Sequence, residues 1–244
     1  MTILESLLDS VVGDATVREA RSNRNWIAAW SRYCGLAATF AVAPGQERDE
    51  ATVSNVGALT GCGARELARL ALSDDPLDAA LGMAAVNSLI DVDESRCEEL
   101  NGRDLLMERA AGRRVALVGH FPFVPELREV ARRLSVLELR PRPGDLPAAE
   151  AARVIPEAEV VAITGAAFVN HTIEPLLGYC RPEALVIVIG PTTPLSPVLF
   201  EYGVGIISGA HVVDQPLVLR QVGDGADFRE MKGIRRLTMR RPGI

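Results

Sequence analysis

Residues 185–189, Leu-Val-Ile-Val-Ile, form an unbroken apolar run that is mostly β-branched. Such a run suits a strand covered on both faces, as in a parallel sheet. Gly190 and Pro191 end it, and a polar loop leads to Ser196. Ser196 is placed to cap a short helix with Pro197 at its first position, where a missing N–H costs nothing. Gly203 stops that helix, and residues 204–207 read as the next strand. The alternation recurs upstream: 114–119, 136–139 and 159–163 read as strands. Helices are predicted over 103–110, from Pro125 through Leu134, around 148–154 and over 173–179. Asp214 caps a last helix over 217–222, with Gly223 as its stop. The basic residues 235–244 read as an edge strand or a tail.

The pattern differs ahead of residue 95. Ile3, Leu4, Leu7, Leu8, Val11 and Val12 recur at helical spacing, closed by Gly13. Residues 16–25 are polar and read as an exposed strand or turn. Residues 26–33 and 36–42 are strand-like, separated at Cys34-Gly35, and suggest a small antiparallel meander. Residues 43–57 read as a loop and 64–72 as a short amphipathic helix. Asp75 caps a second helix with Pro76 at its first position, continuing to Leu89. The polar stretch 91–102 suggests a boundary near residue 95. The expected architecture is a small α+β domain, 1–95, and an α/β domain, 96–244. The second is Rossmann-like, a mainly parallel sheet with helices on both faces.

Composition narrows the function classes. Of 244 residues, 48% are hydrophobic, enough for a sizeable core, and the net charge of −6 comes with no basic block. A nucleic-acid partner would need a positive footprint. No segment approaches the roughly 20 apolar residues of a membrane span. The acid-bearing N-terminus lacks the basic start of a signal peptide. Cys34, Cys62, Cys97 and Cys180 are scattered without a Cys-x-x-Cys pair. They read as reduced thiols of a cytoplasmic protein rather than a disulfide frame or zinc site. A homodimer is left open.

Ligands of open α/β sheets bind outside the carboxyl ends of the strands. The loop from Gly190 to Ser196 is therefore expected to face a pocket. Gly119-His120-Phe121-Pro122 stands after the first strand in place of a glycine fingerprint. Phe121 and Pro122 would obstruct a pyrophosphate, which disfavours NAD. There is no Walker lysine motif and no Gly-x-Ser-x-Gly elbow. His120, His171 and His211 all fall in loops at predicted strand ends. A shared transition-metal ion or a proton-transfer role follows if they converge; local hydrogen bonding is the plainer reading. Thr164, Asn170, Thr172, Thr192, Thr193 and Ser196 share that rim and suit phosphate or carboxylate oxygens, or simple capping. Glu174 is placed as a general base or ligand, or as a helix-start acid; Asp214 is a cap first and a ligand contact second. Asn87 interrupts an apolar helix. It either bonds to nearby backbone or points into a cleft shared with the second domain.

Three segments carry a family resemblance. They are Val118-Gly119-His120-Phe121-Pro122-Phe123; Thr164-Gly165 with Val169-Asn170 and Thr172-x-Glu174; and Gly190-Pro191-Thr192-Thr193-Pro194-Leu195-Ser196-Pro197. With Gly82 through Asn87 they resemble the putative heavy-metal chelation domain family, of unknown function, across essentially the whole chain. The resemblance implies an enolase N-terminal-like domain followed by a Rossmann-like domain, with a site between them. It implies a role in metal chelation, or in making or processing a chelating small molecule. The chain departs from the family pattern at His171 and His211, where small residues are usual. Two readings result. One is a small-molecule-binding protein or enzyme acting on a metal-chelating metabolite in an interdomain pocket. The alternative is a group-transfer or hydrolytic enzyme on a pterin-like or nucleotide-like compound, without metal.

Overall fold

In the computed structural model, which describes residues 1–39 and 59–244, Thr2 caps the first helix, α1 (Ile3–Ser10). Its hydroxyl accepts the Glu5 N–H, and the Glu5 carboxylate accepts the Thr2 N–H. The helix ends before its apolar pattern does. Val11 is already extended, Val12 is 82% exposed, and Gly13 turns with a φ of 72° beyond the end.

β1 (Glu19–Ser22), β2 (Trp26–Trp30) and β3 (Cys34–Ala38) make the antiparallel meander. The break between β2 and β3 falls at residues 31–33, not at Cys34-Gly35. Gly35 belongs inside β3 because the strand touches a helix there; a Cβ would lie 2.1 Å from the Ala84 carbonyl oxygen. The expected loop at 43–57 and the continuation of the strand to Val42 lie outside the described residues. α2 (Ala64–Ala68) runs on as a 3-10 turn over Arg69–Leu72. α3 (Pro76–Leu89) starts as its sequence predicts, the Asp75 carboxylate accepting the N–H groups of Leu77 and Asp78. It is buried on nearly every side. At Gly82 it passes so close to α2's extension that a Cβ would meet Ala71 N at 1.9 Å.

The larger sheet takes the rest of the chain: β4 (Cys97–Glu99), α4 (Gly102–Ala110), β5 (Arg114–Val118), α5 (Val124–Val130), β6 (Arg133–Glu138), β7 (Leu146–Pro147), α6 (Ala151–Val154), β8 (Val160–Thr164), α7 (Ile173–Gly178), β9 (Leu185–Ile189), α8 (Val198–Glu201), β10 (Ile206–Val212), α9 (Gln215–Gly223) and β11 (Ile234–Arg240). Among the described residues the order is β4-β11-β10-β9-β8-β5-β6-β7. The strands from β10 to β7 are parallel; β11 runs antiparallel to both its neighbours, β10 and β4. The chain leaves β5 toward β6 and β7, then returns to β8 on its other side. The order therefore reverses between β5 and β8, the point where such sheets open a crevice at their carboxyl edge.

Three strands differ from their sequence reading. β6 starts at Arg133 and takes in Leu134, because the helix before it ends at Val130. β10 pairs with β9 only through Ser208 but continues along β11 to Val212. Residues 234–240 are neither edge nor tail, being enclosed by β10 and β4. One apolar cluster runs from Ile3 and Met83 through Phe168 to Val188 and Ile207, so the two sheets share a core. The meander has α3 against one part of it, while Ala28, Cys34 and Leu36 pack on Val218, Leu219 and Val222 of α9. The architecture is mixed α/β: a small antiparallel sheet and a larger, mostly parallel one flanked by helices. Among the described residues no helix is long and apolar enough to cross a membrane.

Candidate functional site at the carboxyl edge

Gly119 ends β5 with a φ of 100°, a conformation that favours glycine, and a Cβ there would press on Thr164 at 3.1 Å. The turn hands the chain to His120, whose backbone N–H donates to Glu138 Oε1 at 2.7 Å. Glu138 ends β6, and its Oε2 accepts the Leu139 N–H at 2.9 Å. The His120 ring Nδ1 lies 2.8 Å from Asp145 Oδ2. Asp145 is enclosed, its side chain 1% exposed, with Oδ1 unpartnered. Burial pushes its carboxyl up. The His120 hydrogen bond and the Arg142 N–H outweigh burial and hold it below the ordinary aspartate value. An ionised carboxylate only accepts, so His120 Nδ1 donates to Asp145; Nε2 has no partner among the described residues. Thr164 and the Asn170–Thr172 pair, joined by a 2.6 Å hydroxyl-to-amide bond, complete the polar lining. The cavity, about 360 Å³, sits at the reversal between β5 and β8.

Phe121 separates this cavity from a second, of about 450 Å³, outside β9 and β10. Phe121 stacks on Phe123 with centroids 5.1 Å apart. Gly190 and Pro191 form part of the wall, with Pro122. The Arg236 guanidinium lies 5.6 Å from the Phe228 ring centroid. The charged side chains of the lining are Arg103, Arg229 and Arg236 against Glu126. Arg103 reaches Asp104 at 2.9 Å and Glu126 at 3.7 Å, and Arg229 is held by Asp227. Arg236 has no acid partner among the described residues.

The rest of the Pro-Thr-Thr-Pro loop does not face open space. Thr192, Thr193 and Ser196 are buried. The Ala38 N–H donates to Thr192 Oγ1 at 2.9 Å, and Asn87 Nδ2 donates to the Thr192 carbonyl at 3.1 Å and to that of Leu36 at 3.0 Å. Gly165 and Gly209 clamp the loop from either side; their Cβ atoms would meet Thr193 N at 2.6 Å and Thr193 O at 2.9 Å. The threonines join the two sheets, and the gap there, lined by Asn87, Thr193 and His211 among others, holds about 20 Å³. An interdomain pocket built on these residues is thus replaced by a packed seam. Ser196 Oγ accepts the Val198 N–H at 3.4 Å, while Pro197 takes the cap position of α8.

The histidines do not converge. His171, at φ 56°, donates from Nε2 to the Ala71 carbonyl at 2.8 Å and ties the turn after β8 to the first part of the chain. His211 lies within β10, 3.4 Å from Glu94; burial holds its pKa below the ordinary value despite that acid. Among the described residues no group of three His, Cys, Asp or Glu is placed to hold a metal. The thiols are poor donors as well: burial pushes Cys34 up to about 12 and Cys180 to about 11, and raises Cys62 and Cys97. Among the described residues the donor set does not fit a resident metal ion. The Glu174 carboxylate accepts the Ile3 N–H at the start of α1, so it tethers the first helix to α7. Asp214 caps α9, accepting the Leu217 N–H at 3.1 Å. Glu138, Asp145, Phe228 and Arg236 line or support the cavities without having been expected there.

Residues 101–241 match a family described as "putative heavy-metal chelation" (DUF364), and residues 4–90 match a second with the same description (DUF4213). A crystal structure of a DUF364 protein of unknown function from Desulfitobacterium hafniense DCB-2 is 27% identical, with a TM-score of 0.79 over 98% of this chain and 97% of that one. Another DUF364 structure, from Pyrococcus horikoshii, has 18% identity and a TM-score of 0.75 over 98% of both chains, a likeness of fold. An uncharacterised protein of Methanocaldococcus jannaschii is 27% identical over 158 residues. That match spans 61% of this chain and 60% of the relative, so this chain covers about three fifths of that protein's length.

Proposed function

The chain belongs to the putative heavy-metal chelation family, and on that premise we propose that it binds an anionic organic chelator, free or as its metal complex, rather than a bare metal ion. One observation carries this reading. In a chain of net charge −6, the cavity outside β9 and β10 presents the Arg236 guanidinium, which has no acid partner among the described residues, beside Arg103 and Arg229, which are paired with Asp104, Glu126 and Asp227. An unpaired guanidinium repels a free cation and attracts the carboxylates by which chelators grip metals. Phe121, Phe123 and Phe228 offer ring faces to a flat ligand body, and the Arg236 guanidinium is available to a carboxylate.

Calorimetric titration with pyridine-2,6-dicarboxylate, its zinc complex and zinc alone tests this. The dicarboxylate, alone or as its complex, should bind more tightly than zinc alone, weaken as salt rises, and lose at least about tenfold in Arg236→Glu. Zinc binding more tightly than either, unchanged by Arg236→Glu, would refute the reading.

A further inference from the structure

The cavity at the strand-order reversal differs chemically from its neighbour. Its lining contains no lysine or arginine among the described residues, and its charged member is Glu138. A phosphate would find no counter-charge there, and Phe121 with its stacked partner Phe123 fills the way a diphosphate would take. Glu138 is the last residue of β6, the strand next to β5 on the side away from β8. Its two oxygens are oriented by the His120 and Leu139 N–H groups, one bond to each. A carboxylate has about four lone-pair sites, so each oxygen can accept again. Two fixed acceptors side by side match two vicinal hydroxyls. Beyond them Leu139, Ala148, Ala149 and Ala152 supply an uncharged wall of mostly small side chains, suited to a flat ring.

We propose that this cavity binds a nucleoside moiety, with Glu138 accepting the ribose 2′- and 3′-hydroxyls and the base lying against the wall of Leu139, Ala148, Ala149 and Ala152. An acid at the end of the second strand serves the ribose in dinucleotide-binding sheets. Here the glycines for a pyrophosphate are missing, and the recognition stops at the nucleoside. The inference does not depend on what fills the arginine-lined cavity, although both cavities share Phe121 and their occupants would lie on either side of its ring.

The test titrates the full chain with adenosine, guanosine, cytidine and uridine, each beside its 2′-deoxy counterpart. At least one ribonucleoside should bind, about tenfold or more tightly than its deoxy form, since a hydroxyl on a carboxylate is a charge-assisted bond. In Glu138→Ala that preference should shrink to about twofold or less, whereas a purely structural role for Glu138 would weaken both forms alike. Arg236→Glu should leave nucleoside binding unchanged, which separates this site from the chelator site. Periodate cleavage of the diol should abolish wild-type binding and decides the matter should Glu138→Ala fail to fold. No ribonucleoside bound by about 1 mM, a deoxy form bound equally well, or a preference that survives Glu138→Ala would overturn the proposal.

Discussion

Asn87 and Thr192 connect the two sheets through one hydrogen bond, from the amide Nδ2 on α3 to the carbonyl in the loop after β9, 3.1 Å long. The same nitrogen donates to Leu36 in β3, so a single side chain holds helix, meander and loop together. Its Oδ1 is buried without a partner.

Removing that amide should loosen the seam. Asn87→Ala leaves two carbonyls short of a donor and is expected to cost about 1–3 kcal/mol in urea denaturation. Asn87→Asp should cost more, because it turns an acceptor toward two carbonyl oxygens. An aspartate variant as stable as the wild type would mean that the donor is not the group used there.

Two glycines should behave oppositely. Gly165→Ala drives a Cβ to within 2.6 Å of Thr193 N, a backbone atom held by the seam, and should lose about 1–3 kcal/mol or more. Gly178→Ala, at the end of α7 with nothing within 4 Å, should be neutral or stabilising by up to about 1 kcal/mol. Matching thermal melts for the two variants would contradict the clamped loop.

Asp145 makes stability depend on acid. Its folded pKa lies below the 3.8 of a free aspartate, so the stability it contributes is complete above that value and is lost as pH falls through the folded value. Asp145→Asn should be less stable than the wild type at neutral pH, and the gap should narrow in strong acid. Denaturation midpoints measured across the acid range test this; a gap that widens toward low pH would contradict it.

Buried thiols should be slow to react. Cys34, 5% exposed and raised to about 12, should resist iodoacetamide at neutral pH in the native chain and react promptly once urea unfolds it. Peptide mapping by mass spectrometry reads each site. Rapid native labelling of Cys34 would show that the meander does not cover it as described.

Local signals were readable in the chain itself. Asp75 with Pro76, Asp214, and the apolar run at 185–189 form the cap, cap and strand that their neighbours dictate. Thr192 and Thr193 were not, because a threonine loop has one composition whether it faces a ligand or a second sheet. The donor that fixes Thr192, Ala38 N–H, lies 154 residues away in sequence. Glu138 and Asp145 acquire meaning only when β5 and β6 align, Val118 opposite Leu137, and bring His120 between them. His211 looked like a loop residue because the partner that prolongs β10 is a strand whose basic sequence resembled a tail.

The pairing of β4 with β11 sets a timetable for synthesis. Leu100, just after β4, accepts a bond from Thr238, 138 residues later, and among the described residues β11 alone pairs with β4. The face of the meander that α9 covers likewise stays bare until residues 215–223 have emerged. A ribosome would therefore release an early half with an unpaired strand and an exposed apolar face, and both are closed only by segments made much later. Such long-range closure is slow and leaves the nascent chain open to aggregation, which makes the interval before β11 emerges the time when a chaperone would matter most.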